Sequence, residues 1–210
     1  MSTRIRKSAR ERKTEIVETV LRLAAEVGPD RLSTEAVAEA VGISQPGIFR
    51  HFPKKSDIWQ AVAERIAELL RENWNAMNDE NLGSADRMKS FVTGHLTFLQ
   101  TTPAIPAILF SRELHAENEF LRSFFASLMQ RVHRFVSQMI ASEIKARRYD
   151  GNLDPDDAAY LILALIQGLA MRWSLNERKF DLVSEGERLL ALQLNGFRSI
   201  DLSNLPGVKA

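Results

Sequence analysis

The chain has 210 residues, 45% of them hydrophobic and 26% charged, an ordinary balance for a globular protein of one or two domains. It has no cysteine, which excludes a disulfide framework, a thiolate metal site and a thiol nucleophile. The net charge of +1 excludes a uniformly basic protein, yet Arg4, Arg6, Lys7, Arg10, Arg12 and Lys13 face the single acid Glu11 in the first thirteen residues. A basic arm on an otherwise balanced chain suits a polyanion at one end.

No apolar segment follows the basic start, so no signal peptide is expected. The longest apolar run, Ala158 to Met171, is interrupted by Gln167 and falls short of the roughly 20 residues that span a bilayer. A cytoplasmic protein without a membrane partner is expected.

The pattern predicts helices almost throughout, since strand-like alternation is hard to find. In a first helix over 9–27, Ile16, Val20, Leu23 and Val27 recur at helical spacing, and Gly28-Pro29-Asp30 stops it. Ser33 or Thr34 caps a short second helix with Ala36, Val37, Ala40 and Val41 on its buried side and Gly42 at its end. Ser44 caps a third, in which Pro46 is tolerated because first-turn amides lack intrahelical partners; Pro53 ends it. A fourth runs over 54–77, and residues 78–84 form a polar break. Further helices are expected over 85–101, 104–114, 117–148, 155–176 and 184–199, with breaks at Thr102-Pro103, His115-Ala116, Asp150-Gly151-Asn152 and around Lys179-Phe180-Asp181.

Helix, glycine turn and helix in about twenty residues form a helix-turn-helix pattern, whose second helix enters the major groove of DNA. Gln45 in its first turn can pair with adenine, Pro46 and Gly47 keep the surface small, and Arg50 can reach guanine or a phosphate. His51, Lys54 and Lys55 follow where the chain leaves the groove, and phosphate contacts suit them. Ile48 and Phe52 read as core.

The run from Leu32 to Val62, LSTEAVAEAVGISQPGIFRHFPKKSDIWQAV, resembles the DNA-binding domain of TetR-family transcriptional regulators. The resemblance rests on the capped second helix, the Gly-apolar-Ser turn, the aromatic followed by His-Phe, and the lysine opening the next helix. It implies a homodimer whose small N-terminal helices read DNA and whose larger helical part binds a small molecule and dimerises. It also implies that Thr34 meets a phosphate, that Gln45, Pro46 and Gly47 lie in the base-facing turn, and that His51 and Lys55 contact the DNA backbone; Ser44, the cap before them, is a further DNA-binding candidate. Phe49 stands where the family usually has a tyrosine whose hydroxyl meets a phosphate. Arg4 and Arg6 are candidates for the minor groove.

Beyond residue 65 there is no catalytic constellation, phosphate-binding loop or nucleophile elbow, so no enzyme and no cofactor is expected. Glu113 and Glu117 flank His115, but a hydrated helix end is the favoured reading over a metal site. Phe91, Phe98, Phe110, Arg112, Phe124, Phe125, Met129 and Trp173 are candidates to line a ligand pocket. Ala164 and Gly168, four apart, permit close helix approach. With Leu161, Leu165, Leu169, Leu189, Leu192 and Phe197 they form a candidate dimer seam.

The expectation is an all-α protein: an N-terminal three-helix helix-turn-helix domain over 1–53, then a helical ligand-binding and dimerisation domain over 54–203, bridged by the helix 54–77. Its expected function is transcriptional regulation, as a homodimeric repressor on a pseudo-palindromic operator, released by a small-molecule effector. The alternatives are a helical binding protein or enzyme with a structural N-terminal unit, and an architectural DNA binder.

Overall fold

The computed structural model describes residues 7–77 and 84–198. Every regular element among them is an α-helix: α1 (Ala9–Val27), α2 (Thr34–Val41), α3 (Gln45–His51), α4 (Lys55–Met77), α5 (Ser84–Thr101), α6 (Ala104–Leu109), α7 (Arg112–Glu117), α8 (Glu119–Lys145), α9 (Pro155–Leu175) and α10 (Leu182–Gly196). The expected break at residues 78–84 lies almost wholly outside the described residues, as do Arg4 and Arg6.

Two expected limits move. The helix expected over 104–114 ends at Leu109, and a new one starts at Arg112 because the Ser111 hydroxyl accepts the Leu114 amide. His115 and Ala116 are therefore helical, and the break falls at Asn118, whose side-chain oxygen accepts the Leu121 amide and opens α8. A side-chain cap decided both.

Packing divides the described residues into two units, 7–73 with 101–127, and 74–77 and 84–100 with 128–198. This division follows contacts and is distinct from the functional boundary placed at 53/54. In the first unit, α1 is the hub. Its face of Ile16, Val17, Val20, Leu21 and Ala24 is buried, and it packs on α2, α3 and α6. The Ser111 hydroxyl donates to the Asp30 carboxylate, which ties the α1–α2 loop to the cap of α7. Arg65 of α4 reaches Glu18 of α1 at 2.7 Å.

In the second unit α9 packs on α10. At 21 residues α9 is long and apolar enough to cross a membrane by length and composition, longer than the apolar run suggested. Ile162, Leu163, Ile166, Leu169 and Trp173 are buried within this unit. Glu143, only 1% exposed, is held by two bonds from Arg148, Nε at 2.6 Å and Nη2 at 2.9 Å.

Candidate nucleic-acid interface

The helix-turn-helix unit comprises α2, the turn at residues 42–44, and α3. Ser33, not Thr34, is the cap of α2: its hydroxyl accepts the Ala36 amide at 3.1 Å. Gly42 closes the helix with φ 73° and ψ 37°, a left-handed conformation that costs a residue with a Cβ about 1–2 kcal/mol. There its amide meets Glu39 O, and that of Ile43 meets Ala38 O, each at 3.0 Å. Ser44 occupies the cap position of α3, but its hydroxyl makes no cap bond.

α3 has two distinct sides. Ile48, 0% exposed, and Phe52, 5% exposed, belong to the core. Gly47 is buried as well: a Cβ there would sit 3.4 Å from Ser44 Oγ and 3.5 Å from Ile43 Cβ. These are ordinary van der Waals contacts, and burial sets Gly47 apart from its exposed neighbours on α3. Pro46, Phe49 and Arg50, spaced by three and four, are exposed and share the outward side. Lys54 and Lys55 are exposed at the start of α4, where the Lys54 amide donates to Asp57 at 2.9 Å. His51 is half-buried and lines an open groove of about 680 Å³ with Lys13, Glu18, Phe52, Asp57 and Arg65. The Lys13 ammonium lies 5.3 Å above the Phe52 ring.

Gln45 is half-buried and not free. Its Nε2 donates to Thr34 Oγ1 at 2.9 Å and to Glu35 Oε1. Thr34 Oγ1 lies 3.4 Å from Glu35 Oε2. The carboxyl of Glu35 is held below its ordinary range by the backbone amide and the Ser33 hydroxyl, and so is ionised. Glu35 escaped the sequence reading because a first-turn acid is what the helix dipole favours anyway.

The candidate pocket residues are divided between the two units. Phe91, Phe98 and Trp173 are buried and Met129 is half-buried in the second unit. Phe125 is buried and Phe110 and Phe124 half-buried in the first, where Arg112 is exposed. The His115 Nε2–H donates to Leu109 O at 3.1 Å, and its ring meets Phe125 edge-on at 5.6 Å. Among the described residues, no group of three or more His, Cys, Asp or Glu converges in a way that could hold a metal ion.

Around Phe91 the structure adds three residues. His95 stacks at 5.8 Å, Phe135 lies at 5.4 Å, and Trp74 stacks on Phe135 at 6.4 Å. Trp74 Nε1 and His95 Nδ1 are both buried without a hydrogen-bond partner. Burial pushes the His95 pKa down to about 4, which leaves the ring neutral near pH 7. A second cavity, of about 440 Å³, lies between α8 and α9 and is lined by Met129, His133, Tyr160, Leu163, Ala164 and Gln167, among others.

Of the candidate dimer residues, Leu161 and Leu192 are 49% and 62% exposed, Ala164 and Gly168 are exposed, and Leu165 and Leu189 are half-buried. Leu169 and Phe197 instead face inward, at 2% and 3% exposure. Phe197 packs edge-on against Tyr149 at 5.8 Å, and its carbonyl accepts the Asp150 amide. These two seal the monomer and leave the seam. Met171 and Leu175, at 37% and 75% exposure, extend the exposed side of α9.

Residues 16–62 match the family model described as bacterial regulatory proteins, tetR family, and residues 62–196 match that of the YsiA-like protein C-terminal region. The chain is 29% identical to the nucleoid occlusion factor SlmA of Shewanella halifaxensis over 149 residues, 71% of this chain and 76% of that protein. It is 26% identical to the SlmA of Vibrio cholerae over 170 residues, 80% and 87% of the two chains. In fold it is similar to the transcriptional regulator FadR from Bacillus subtilis in complex with stearoyl-CoA, with TM-score 0.72 and 18% identity over 87% of this chain and 98% of that one. It is also similar to the ketosteroid transcriptional regulator KstR2 of Mycobacterium tuberculosis, with TM-score 0.73 and 16% identity over 90% and 96%.

Proposed function

The chain belongs to the tetR family of bacterial regulatory proteins, and from that premise we propose that it is a repressor that binds a pseudo-palindromic operator as a homodimer. The observation that carries the proposal is the two-sided α3. Its inner side is sealed by Ile48 and Phe52, so Gln45, Pro46, Phe49 and Arg50 are left for DNA, with Lys54 and Lys55 beside them for phosphates. Phe49 has no hydroxyl for a phosphate, but its ring suits the methyl group of thymine. Two-fold symmetry would place the recognition helices about 34–36 Å apart, or a multiple of that. The exposed apolar side of α9, with Leu161, Ala164, Gly168 and Leu192 of α10, supports a two-fold helix-pair interface.

An apolar effector would bind in the second unit, around Phe91, His95, Phe98, Trp74 and Phe135. Two buried nitrogens without partners there are a cost that a ligand oxygen would remove. The neutral His95 suits a carbonyl or hydroxyl better than a carboxylate. The complex of the FadR neighbour with stearoyl-CoA supports testing long-chain acyl compounds first. The ligand releases DNA only through a difference in affinity for two states of the protein, with α4 as the transmitter. The Ser111–Asp30 bond is a further link between α7 and the loop that precedes α2.

The test is fluorescence anisotropy of the purified protein on its own upstream intergenic DNA and on scrambled DNA, at two salt concentrations. Preference for the upstream DNA that persists at the higher salt supports the proposal. Equal, salt-sensitive binding to both would reduce it to electrostatics.

A further inference from the structure

We propose that Glu35 is a specificity-determining residue: by locking the side-chain amide of Gln45, it makes that residue read an amino-bearing base, adenine or cytosine, through its carbonyl oxygen alone. The inference rests on the reading of α3 as the recognition helix.

The carboxylate of Glu35 carries no hydrogen and can only accept. The amide must therefore turn its NH2 group toward Glu35, since the flipped amide would set two acceptor oxygens against each other. The same NH2 also meets Thr34 Oγ1 at 2.9 Å, so both of its hydrogens are committed. Gln45 is left with one group to offer, its Oε1. The bidentate pairing of glutamine with adenine needs both halves of the amide, a donor for N7 and an acceptor for the N6 amine. Here only the acceptor half remains.

In the major groove the exocyclic amines are adenine N6 and cytosine N4, whereas guanine and thymine present acceptors at the corresponding places. A carbonyl oxygen held by an ionised neighbour accepts from the first two and is repelled by the others. The Glu35 carboxylate lies on the same surface, is itself an acceptor, and adds to that discrimination. Sequence alone suggested an adenine reader; the hydrogen bonds to residues ten and eleven positions earlier change what Gln45 can read.

The experiment is selection of bound duplexes from a randomised library by the full-length protein, repeated for Glu35→Ala, Glu35→Gln and Gln45→Ala. For the wild type, one position in each half-site is expected to accept adenine or cytosine on the contacted strand and to exclude guanine and thymine. Gln45→Ala should erase the preference at that position only. Glu35→Ala frees an N–H for N7 and should raise the adenine-to-cytosine ratio there about tenfold. Glu35→Gln removes the charge at nearly constant shape but keeps an acceptor oxygen, so it should shift the ratio the same way by less, which guards against a folding artefact of the alanine variant. A wild-type preference for guanine or thymine at the Gln45-dependent position, or an unchanged ratio in both Glu35 variants, overturns the inference. A wild type that enriches no motif overturns the operator-binding reading itself, so the two failures are distinguishable.

Discussion

Gly186 of α10 lies so close to Leu96 of α5 that an added Cβ would overlap the Leu96 Cδ1 atom. Leu96 is fully buried, so a shift of its side chain means repacking the core around it. Gly186→Ala is expected to destabilise the protein by about 1–3 kcal/mol through overpacking, despite the better helix propensity of alanine. Chemical denaturation of Gly186→Ala, Leu96→Ala and the double variant tests this. The double variant should be more stable than the sum of the single losses, and strict additivity would refute the close contact.

The left-handed φ of Gly42 supports a second expectation. Gly42→Ala should lower stability by about 1–2 kcal/mol, because the Cβ clashes in that backbone region. Gly47→Ala should do the reverse or nothing. Its new methyl group would meet only ordinary contacts, and alanine favours the helix by up to about 1 kcal/mol. Melting curves of the two variants side by side decide the matter; equal losses would mean the turn is misassigned.

Stability should depend on pH through His95. Its folded pKa of about 4 lies below the ordinary value of 6.5, so the unfolded chain binds a proton that the folded chain resists. The contribution is complete above about pH 6.5 and is lost as the pH falls toward 4, up to about 3 kcal/mol in all. Urea midpoints of the wild type and His95→Phe at pH 7 and pH 4.5 measure it. The phenylalanine variant should lose less on acidification, and parallel losses would show that His95 is not the group responsible.

On DNA, Phe49→Tyr would supply the hydroxyl that the resemblance leads one to expect at this position. With the Phe49 ring 38% exposed, the added oxygen has room, and an extra phosphate hydrogen bond should tighten binding by about two- to tenfold. Lys55→Ala should weaken binding to all sequences alike and lower the salt slope by roughly one. Anisotropy titrations over a salt series separate the two. A Lys55 effect confined to one operator sequence would place that lysine on a base.

Gly168 gives a test of the seam that spares the monomer. Among the described residues, its own helix backbone apart, nothing lies within 4 Å of a Cβ placed there. Gly168→Leu should keep its helical circular dichroism yet weaken self-association by at least tenfold, as read by sedimentation equilibrium. An unchanged dimer would move the interface off this side of α9.

Where local chemistry decides structure, the sequence by itself was enough. The limits of α1, α2 and α3 follow from Gly28-Pro29, Ser33, Gly42 and the tolerance of a first helical turn for Pro46, all acting within four residues. The pairing of Ile48 and Phe52 as core, against Phe49 and Arg50 as surface, follows from helical spacing. Tertiary structure decided what depends on residues distant in the chain. The breaks at Ser111 and Asn118 lie in stretches where periodicity could have run on, and only the side-chain bonds that form there end the helices. Over residues 158–171 of α9 apolar side chains run almost without a break, so spacing could not tell that Leu169 faces the chain's own core while Leu161 faces outward. The grouping of Trp74, His95 and Phe135 around Phe91 draws on three helices, and the grip of Glu35 on Gln45 spans a turn. Capping and turn energies act between near neighbours and are written in order along the chain; which side of a helix meets which is settled only when the helices pack.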